Sequence, residues 1–336
     1  MSAFTPIDAE GGLVFATHLP GRAEDFARDA ESVWASLGAG TPAGPVWVHL
    51  DRTKERAQRW VREQSGLDAQ IAEALLAEET RPRFEAHESG VLVIFRGVNM
   101  NPGAEPDDLI ALRLWVEPTR VITLRAFRFQ TIADLRARAQ AGAAPATPGA
   151  FLAAVALGLG TRLGPVVENL DEMLDDVESD LVDKPDEAAD GDRSVLATIR
   201  RQAITYRRYM APQRDAMSGL SLLDTPVLDA RAKAELRHAA DQIARVVEDL
   251  EELRDRAAVT GDELRARREM QINRSTYILT LVASVALPLG LLTGLLGVNV
   301  GGIPGQNDHW AFFAVCVLMG VIAFLEVLLL RKMRWL

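Results

Sequence analysis

From Ser275 to Asn307 the chain carries no charged residue, and from His309 to Leu330 it carries one, Glu326. Within these stretches, Tyr277–Leu296 (YILTLVASVALPLGLLTGLL) is a run of 20 uncharged residues, and Trp310–Leu330 is a second apolar run. A bilayer core about 30 Å thick needs roughly 20 residues of helix to cross it. Composition alone would also admit two buried core helices, but length, charge and flanks together predict two membrane spans. Trp310 and Trp335 bracket the second span as interfacial anchors would. Phe151–Leu159 is apolar but too brief to cross. The N-terminus, MSAFTPIDAEGG, has neither a basic segment nor an apolar run, so no cleaved signal peptide is expected.

The flanking charges set the orientation. Arg265, Arg267, Arg268 and Arg274 precede the first span, and Arg331, Lys332 and Arg334 follow the second. The loop between them, GVNVGGIPGQNDH, has no basic residue other than its last, a histidine. Lysine and arginine favour the cytoplasmic side, so both termini are predicted inside and the loop outside. The 37 basic and 47 acidic side chains lie almost entirely before residue 275, giving a net charge of −10. That balance argues against a nucleic-acid partner. It suits a protein that handles cations, and equally an ordinary acidic soluble domain.

Residues 1–145 mix short β-like runs with helical stretches and read as a cytoplasmic α/β domain. The strand candidates are Gly12–Thr17, Val46–Leu50, Arg83–His87, Val91–Arg96, Leu109–Val116 and Val121–Leu124. Helices are expected over Ala23–Leu37, Arg52–Gln64, Asp68–Ala77 and Thr131–Gln140. The stretch has neither a phosphate-binding glycine loop nor a nucleophile–base pair, so an enzyme is not expected. Cys316 is the single cysteine, which excludes a disulfide framework and a multi-cysteine zinc site. The five histidines, His18, His49, His87, His238 and His309, form no short-spaced ligand pair. His309 reads either as a solvated interfacial residue or as an aid to metal collection outside. Glu326, the one carboxylate inside a span, either reaches the inner interface or has a functional role.

Ala141–Gly149 (AGAAPATPG) is a linker by composition. Beyond it, residues 146–225 form a helical segment with helices over Ala150–Val182 and Arg193–Ser218, and 226–275 form a stalk helix starting near Pro226. No proline interrupts the chain from there to Pro288, which is expected to kink the first span. A helix over Val227–Leu296 would be roughly 105 Å long at 1.5 Å per residue. On it, Leu236, Ala239, Ile243, Val246, Leu250, Leu253, Ala257, Thr260 and Leu264 recur at three and four, a seam that must pack on something. The opposite face carries Glu248, Glu252, Asp255, Asp262 and Glu269, interrupted by Val259 and Ala266. Continued, that stripe reaches Asn273 and Thr276. It reads either as a solvated outer face or as the lining of a cytoplasmic funnel.

In the first span Thr276, Thr280, Ala283, Leu287, Gly290 and Gly294 share one small, mildly polar face. Such a face serves either as a packing seam or as a narrow conduit. Two spans cannot enclose a pore, so conduction would require several copies around one helix.

The run Leu287–Asn299 (LPLGLLTGLLGVN) and the basic ending RKMRWL resemble the CorA metal-ion transporter family. Gly-Val-Asn occurs twice, at Gly97–Asn99 and Gly297–Asn299, and only the second meets an outer loop at the end of a charge-free helix. The loop GVNVGGIPG and the soluble run Arg96–Trp115 are similar to the ZntB-like zinc-transporter branch. The magnesium branch typically has methionine where Val298 stands. The resemblance implies a funnel-shaped homopentamer in the inner membrane, an α/β cytoplasmic domain followed by long helices and a two-helix transmembrane hairpin. It places spans at 276–296 and 310–330, the outer loop at 297–309 and a basic tail at 331–336. It implies a pore lined by Thr276, Leu279, Ala283, Leu287 and Gly290, with Leu279 in place of Thr280, and a mouth at Gly297, Val298 and Asn299. Asn299 would meet the metal. Zn²⁺ or another divalent cation would be cargo, the ZntB-like branch implies movement linked to protons, and no resident cofactor is implied. Neutral amide and carbonyl oxygens suit transient binding of a cation. The alternatives are a magnesium or cobalt channel of the same fold, and a membrane-anchored oligomeric interaction protein.

Overall fold

The computed structural model describes residues 6–38, 44–105, 107–183, 190–297, 305 and 309–332. The chain divides into two compact units, Met1–Gly261 and Asp262–Leu336.

The first unit is built on a six-stranded sheet in the order β1-β2-β6-β5-β4-β3. Its strands are β1 Leu13–His18, β2 Val46–Asp51, β3 Arg83–Ala86, β4 Val91–Val98, β5 Leu109–Glu117 and β6 Arg120–Arg125. Strands β3 to β6 form an antiparallel meander, β1 pairs antiparallel with β2, and β2 runs parallel to β6. A parallel pair needs a crossover, and the segment from β2 to β6 supplies it by way of α2 (Glu55–Arg59, continued as a π turn to Gln64) and α3 (Ala69–Leu76).

Both sheet faces are covered, which explains why the strands read as nearly unbroken apolar runs. Side chains alternate across a strand. Val46, Val48 and Leu50 join Val33 and Trp34 of α1 (Ala30–Gly38), Trp60, and Ile71 and Leu75 of α3 in one core. Trp47 and His49 point the other way. There Trp47 packs against Phe151 with ring centroids 4.5 Å apart, and Phe15 meets Trp47 edge-on. Phe151 lies on α5 (Pro148–Asp183), which shares this face with α4 (Gln130–Gln140). The fully buried Arg113 of β5 donates to the carbonyls of Ala77 and Glu78, just past the end of α3, at 2.8 and 3.2 Å. Burial, then Arg52, Arg96 and Arg83, push its guanidinium down to about 10.

Element ends differ from the sequence expectation where a side-chain cap decides. Ala23–Leu37 breaks into a 3-10 turn over Ala23–Ala27 and then α1. The expected linker ends at Thr147, whose hydroxyl accepts from the Ala150 N–H at 3.2 Å. Pro148 and Gly149 are therefore buried in the first turn of α5, where proline costs no hydrogen bond. Helix α6 covers Asp190–Leu222. Helix α7 starts at Ala230 because Asp229 accepts from the Ala232 N–H at 2.7 Å, and it runs through Pro288 to Leu296. The boundary between the two units falls inside α7.

Among the described residues, three helices are long and apolar enough to cross a membrane by length and composition: α5, α7 and α8 (Ala311–Lys332). Half of the apolar window of α5 is buried in the first unit, against 0% for that of α7 and 6% for that of α8. The apolar part of α5 is core, and those of α7 and α8 are uncovered.

Candidate functional site

In the first unit, α7 is fixed by its seam. Leu236, Ala239, Ile243 and Leu250 are fully buried, and Val246, Leu253, Ala257 and Thr260 nearly so. The seam lies against α5 and α6. A Cβ at Gly160 of α5 would stand 2.9 Å from Gln242, and one at Gly261 would stand 3.9 Å from Leu196 of α6. Polar clamps flank the contact. Arg256 donates to Asp171, Asp175 and Glu178 of α5 at 2.7, 2.5 and 2.7 Å, and the Thr260 hydroxyl donates to Glu178 at 3.0 Å. Those carboxylates, by hydrogen bond and charge, hold the Arg256 guanidinium above its ordinary pKa. On the other side Arg207 of α6 donates to Glu251 at 2.5 Å.

Opposite the seam Glu248, Glu252 and Asp255 are exposed, and Val259 on the same face is 69% exposed. Partial burial, followed by Glu252, Glu248 and Asp171, pushes the neighbouring Asp249 carboxyl above its usual range. A groove of about 250 Å³ between α5 and α7 is lined by Glu168, Asp171, Asp249, Glu252 and Arg256. Arg256 already supplies a cation there, and among the described residues no acidic, histidine or cysteine group converges as a metal site.

In the second unit Asp262 and Glu269 are exposed, and Asp262 accepts from Arg265 at 2.9 Å. Thr276, Leu279, Ala283, Leu287 and Gly290 are exposed as well, Leu279 by 70% and Leu287 by 72%. A single chain thus leaves the whole small face uncovered. Among the described residues, nothing beyond the helix's own backbone lies within 4 Å of where a Cβ would stand on Gly290 or Gly294, so another helix can approach the backbone there. The hydroxyls of this span bond to their own helix. Thr280 donates to the Thr276 carbonyl at 2.8 Å and Thr293 to the Leu289 carbonyl at 3.0 Å. Each hydroxyl proton is thereby used, and the oxygen lone pairs are what a neighbour meets. The Gly297 N–H closes the helix onto the Thr293 carbonyl at 2.9 Å. Val298 and Asn299 lie outside the described residues. The other Gly-Val-Asn ends β4, where Asn99 donates to Asp108 at 2.6 Å. One Glu326 carboxyl oxygen in α8 is buried without a hydrogen-bond partner among the described residues.

The Arg256 clamp was not anticipated from the sequence, although its signal was present: Asp171, Asp175 and Glu178 recur at four and three on one face of α5.

Residues 42–332 match the family model described as CorA-like Mg2+ transporter protein. The divalent cation transporter CmaX of Pseudomonas aeruginosa is 36% identical over 333 residues, 97% of this chain and 98% of that protein. The zinc transport protein ZntB of Pectobacterium carotovorum is 33% identical over 292 residues, covering 87% and 88%. Among solved structures, full-length CmaX superposes with a TM-score of 0.82 at 33% identity, covering 98% and 99%. The CorA magnesium transporter of Methanocaldococcus jannaschii shares the fold, with a TM-score of 0.72 at 17% identity over 87% and 92%.

Proposed function

The chain belongs to the CorA-like family of metal-ion transporters, and on that premise we propose that it carries zinc through a central pore built by five copies. It is a membrane protein that transports divalent metal cations. One observation carries the finer reading above others: the most apolar stretch of α7 is 0% buried within a single chain. One chain with two such helices cannot wall off a water-filled path, and a ring of like chains can. In that ring Thr276, Leu279, Ala283, Leu287 and Gly290 line the path, with Gly297, Val298 and Asn299 at its mouth. Threonine oxygens and the Asn299 amide give neutral dipoles, enough to hold a hydrated divalent ion and to release it. Glu248, Glu252, Asp255, Asp262 and Glu269 face the inner vestibule and raise the local cation concentration. The ion is cargo, and no resident cofactor is required. Both termini lie in the cytoplasm and the short loop outside the inner membrane.

Zinc is favoured by the loop GVNVGGIPG and by the relative named for zinc transport. A magnesium channel of the same fold is the second reading, favoured by the description of the matching family model. Purified protein in vesicles, assayed with Zn²⁺ and Mg²⁺ under imposed pH gradients, separates them. Zinc flux is expected to exceed magnesium flux and to respond to the proton gradient. Preferred magnesium flux would remove the zinc assignment, and no flux of either would remove the pore.

A further inference from the structure

Two strips of opposite charge run along neighbouring helices of the first unit. On α5, Glu168, Glu172, Asp176 and Asp183 are exposed and recur at three to four residues, with Ser179 completing the row. On α6, Arg193, Arg200 and Arg208 are exposed in a row with Ala197 and Ile204, the latter 49% exposed. Each row faces away from its helix's buried side, which carries Leu170, Leu174 and Val177 on α5 and Ile199, Ala203, Tyr206 and Met210 on α6. Each spans sixteen residues, with about 22 Å of helix between the first and the last.

The contacts with α7 put the two rows at matching heights. On α5, Gly160 lies beside Gln242 and Glu178 beside Thr260, so α5 runs parallel to α7. On α6, Arg207 meets Glu251 and Leu196 lies beside Gly261, so α6 runs the opposite way. Through this common ruler Glu168 stands level with Arg208, Glu172 with Ile204, Asp176 with Arg200 and Asp183 with Arg193. The spacing along one strip therefore repeats along the other.

We propose that these strips form a contact between adjacent copies of this chain, the acidic row of α5 on one copy docking on the basic row of α6 on the next. The inference rests on the ring-forming reading above and adds the surface that closes the ring. In a cyclic assembly the copies share one orientation, so α5 of one copy meets α6 of the next antiparallel and at equal height. Only then do Glu168, Asp176 and Asp183 each face a guanidinium, with Ile204 against the methylenes of Glu172 between them. A basic row on a chain of net charge −10 finds its complement on another copy of that chain. Complementary rows of this kind set orientation and register more than affinity, which is what a ring needs.

The test uses the full-length protein in detergent with Cys316→Ala and a pair of new cysteines, Asp176→Cys with Arg200→Cys. A short bis-maleimide should link chains into a ladder of dimers and higher species, with a yield that falls as salt is raised. The pair Arg200→Cys with Glu252→Cys, which asks whether the basic row instead meets the acidic face of α7, should give no ladder. A ladder from that second pair alone would overturn the proposal. So would absence of any ladder while light scattering shows the parent protein to be oligomeric. A monomeric parent would overturn the ring-forming reading itself, and this contact with it.

Discussion

At His49 a chain of hydrogen bonds fixes which nitrogen carries the proton. The Thr123 hydroxyl accepts from Trp47 Nε1 at 2.8 Å and donates to the Val48 carbonyl at 3.2 Å. Its remaining lone pair accepts from His49 Nδ1, 2.8 Å away, which leaves Nε2 bare, buried and without a partner among the described residues. Burial, then Arg125 and more weakly Arg136, hold this imidazole well below its usual pKa, against a hydrogen bond to the Thr123 backbone that raises it. The unfolded chain binds a proton near pH 6.5 that the folded chain refuses, so the stabilisation is complete above 6.5 and is lost as pH falls. The slope approaches ~1.4 kcal/mol per pH unit until the folded pKa is reached. Thermal melts of detergent-solubilised protein between pH 7 and 5 should therefore fall more steeply for the wild type than for His49→Gln, and parallel slopes would refute this. Asn299 poses a different question, since its amide is proposed to meet the ion. Asn299→Ala should leave the oligomer intact on light scattering and abolish most zinc flux; wild-type flux in that variant would remove it from the pore mouth. His49 sits in an apolar strand like its neighbours, and its sequence carries no sign of the arginines that folding brings beside it. Asn299 could be singled out because a charge-free helix ends just before it.

At the scale of one element, α7 was the most legible part of the chain. A seam with a period of three and four can be buried on only one side, and every residue of that seam is buried. The strands were legible for the same kind of reason, their period and branched side chains surviving on both faces of a covered sheet. Element ends were not, because single caps such as Thr147 and Asp229 decide them and a cap is one residue in a polar background. Charge was the least legible property. The five-residue acidic face and the carboxylates gripping Arg256 look alike in the sequence, yet one is exposed and the other clamped. Helix α7 therefore offers a direct test of its exposed face. Replacing Glu248, Glu252, Asp255, Asp262 and Glu269 by their amides removes five negative charges and spares the Arg256 clamp. If these side chains share a vestibule, zinc flux should fall at low ionic strength and recover toward wild type near 0.1 M salt, where screening acts over about 10 Å. Carboxylates on a solvated outer face would show equal flux in both proteins at every salt concentration.

At the scale of the whole molecule, the division of charge along the chain separates what meets water from what meets lipid. The first unit buries its apolar residues around a sheet covered on both faces, with half the apolar window of α5 inside it. The second unit exposes nearly all of its apolar windows in α7 and α8, an arrangement stable in lipid and costly in water. Basic residues then decide which way the pair of helices is inserted. Seven arginines and lysines flank the outer ends of the pair, and the connecting loop has none. Each of them would have to be carried across the bilayer if the orientation were reversed. The two termini should accordingly be cytoplasmic, with only Gly297 to His309 outside. Single cysteines at Gln306 and at Leu336, each in a Cys316→Ala background, report this directly. A membrane-impermeant maleimide should label Gln306→Cys in intact cells, and label Leu336→Cys only after the membrane is opened. Labelling of Leu336→Cys in sealed cells would reverse the orientation. It would also place the acidic face of α7 on the outer side, where it would draw in cations from outside the cell.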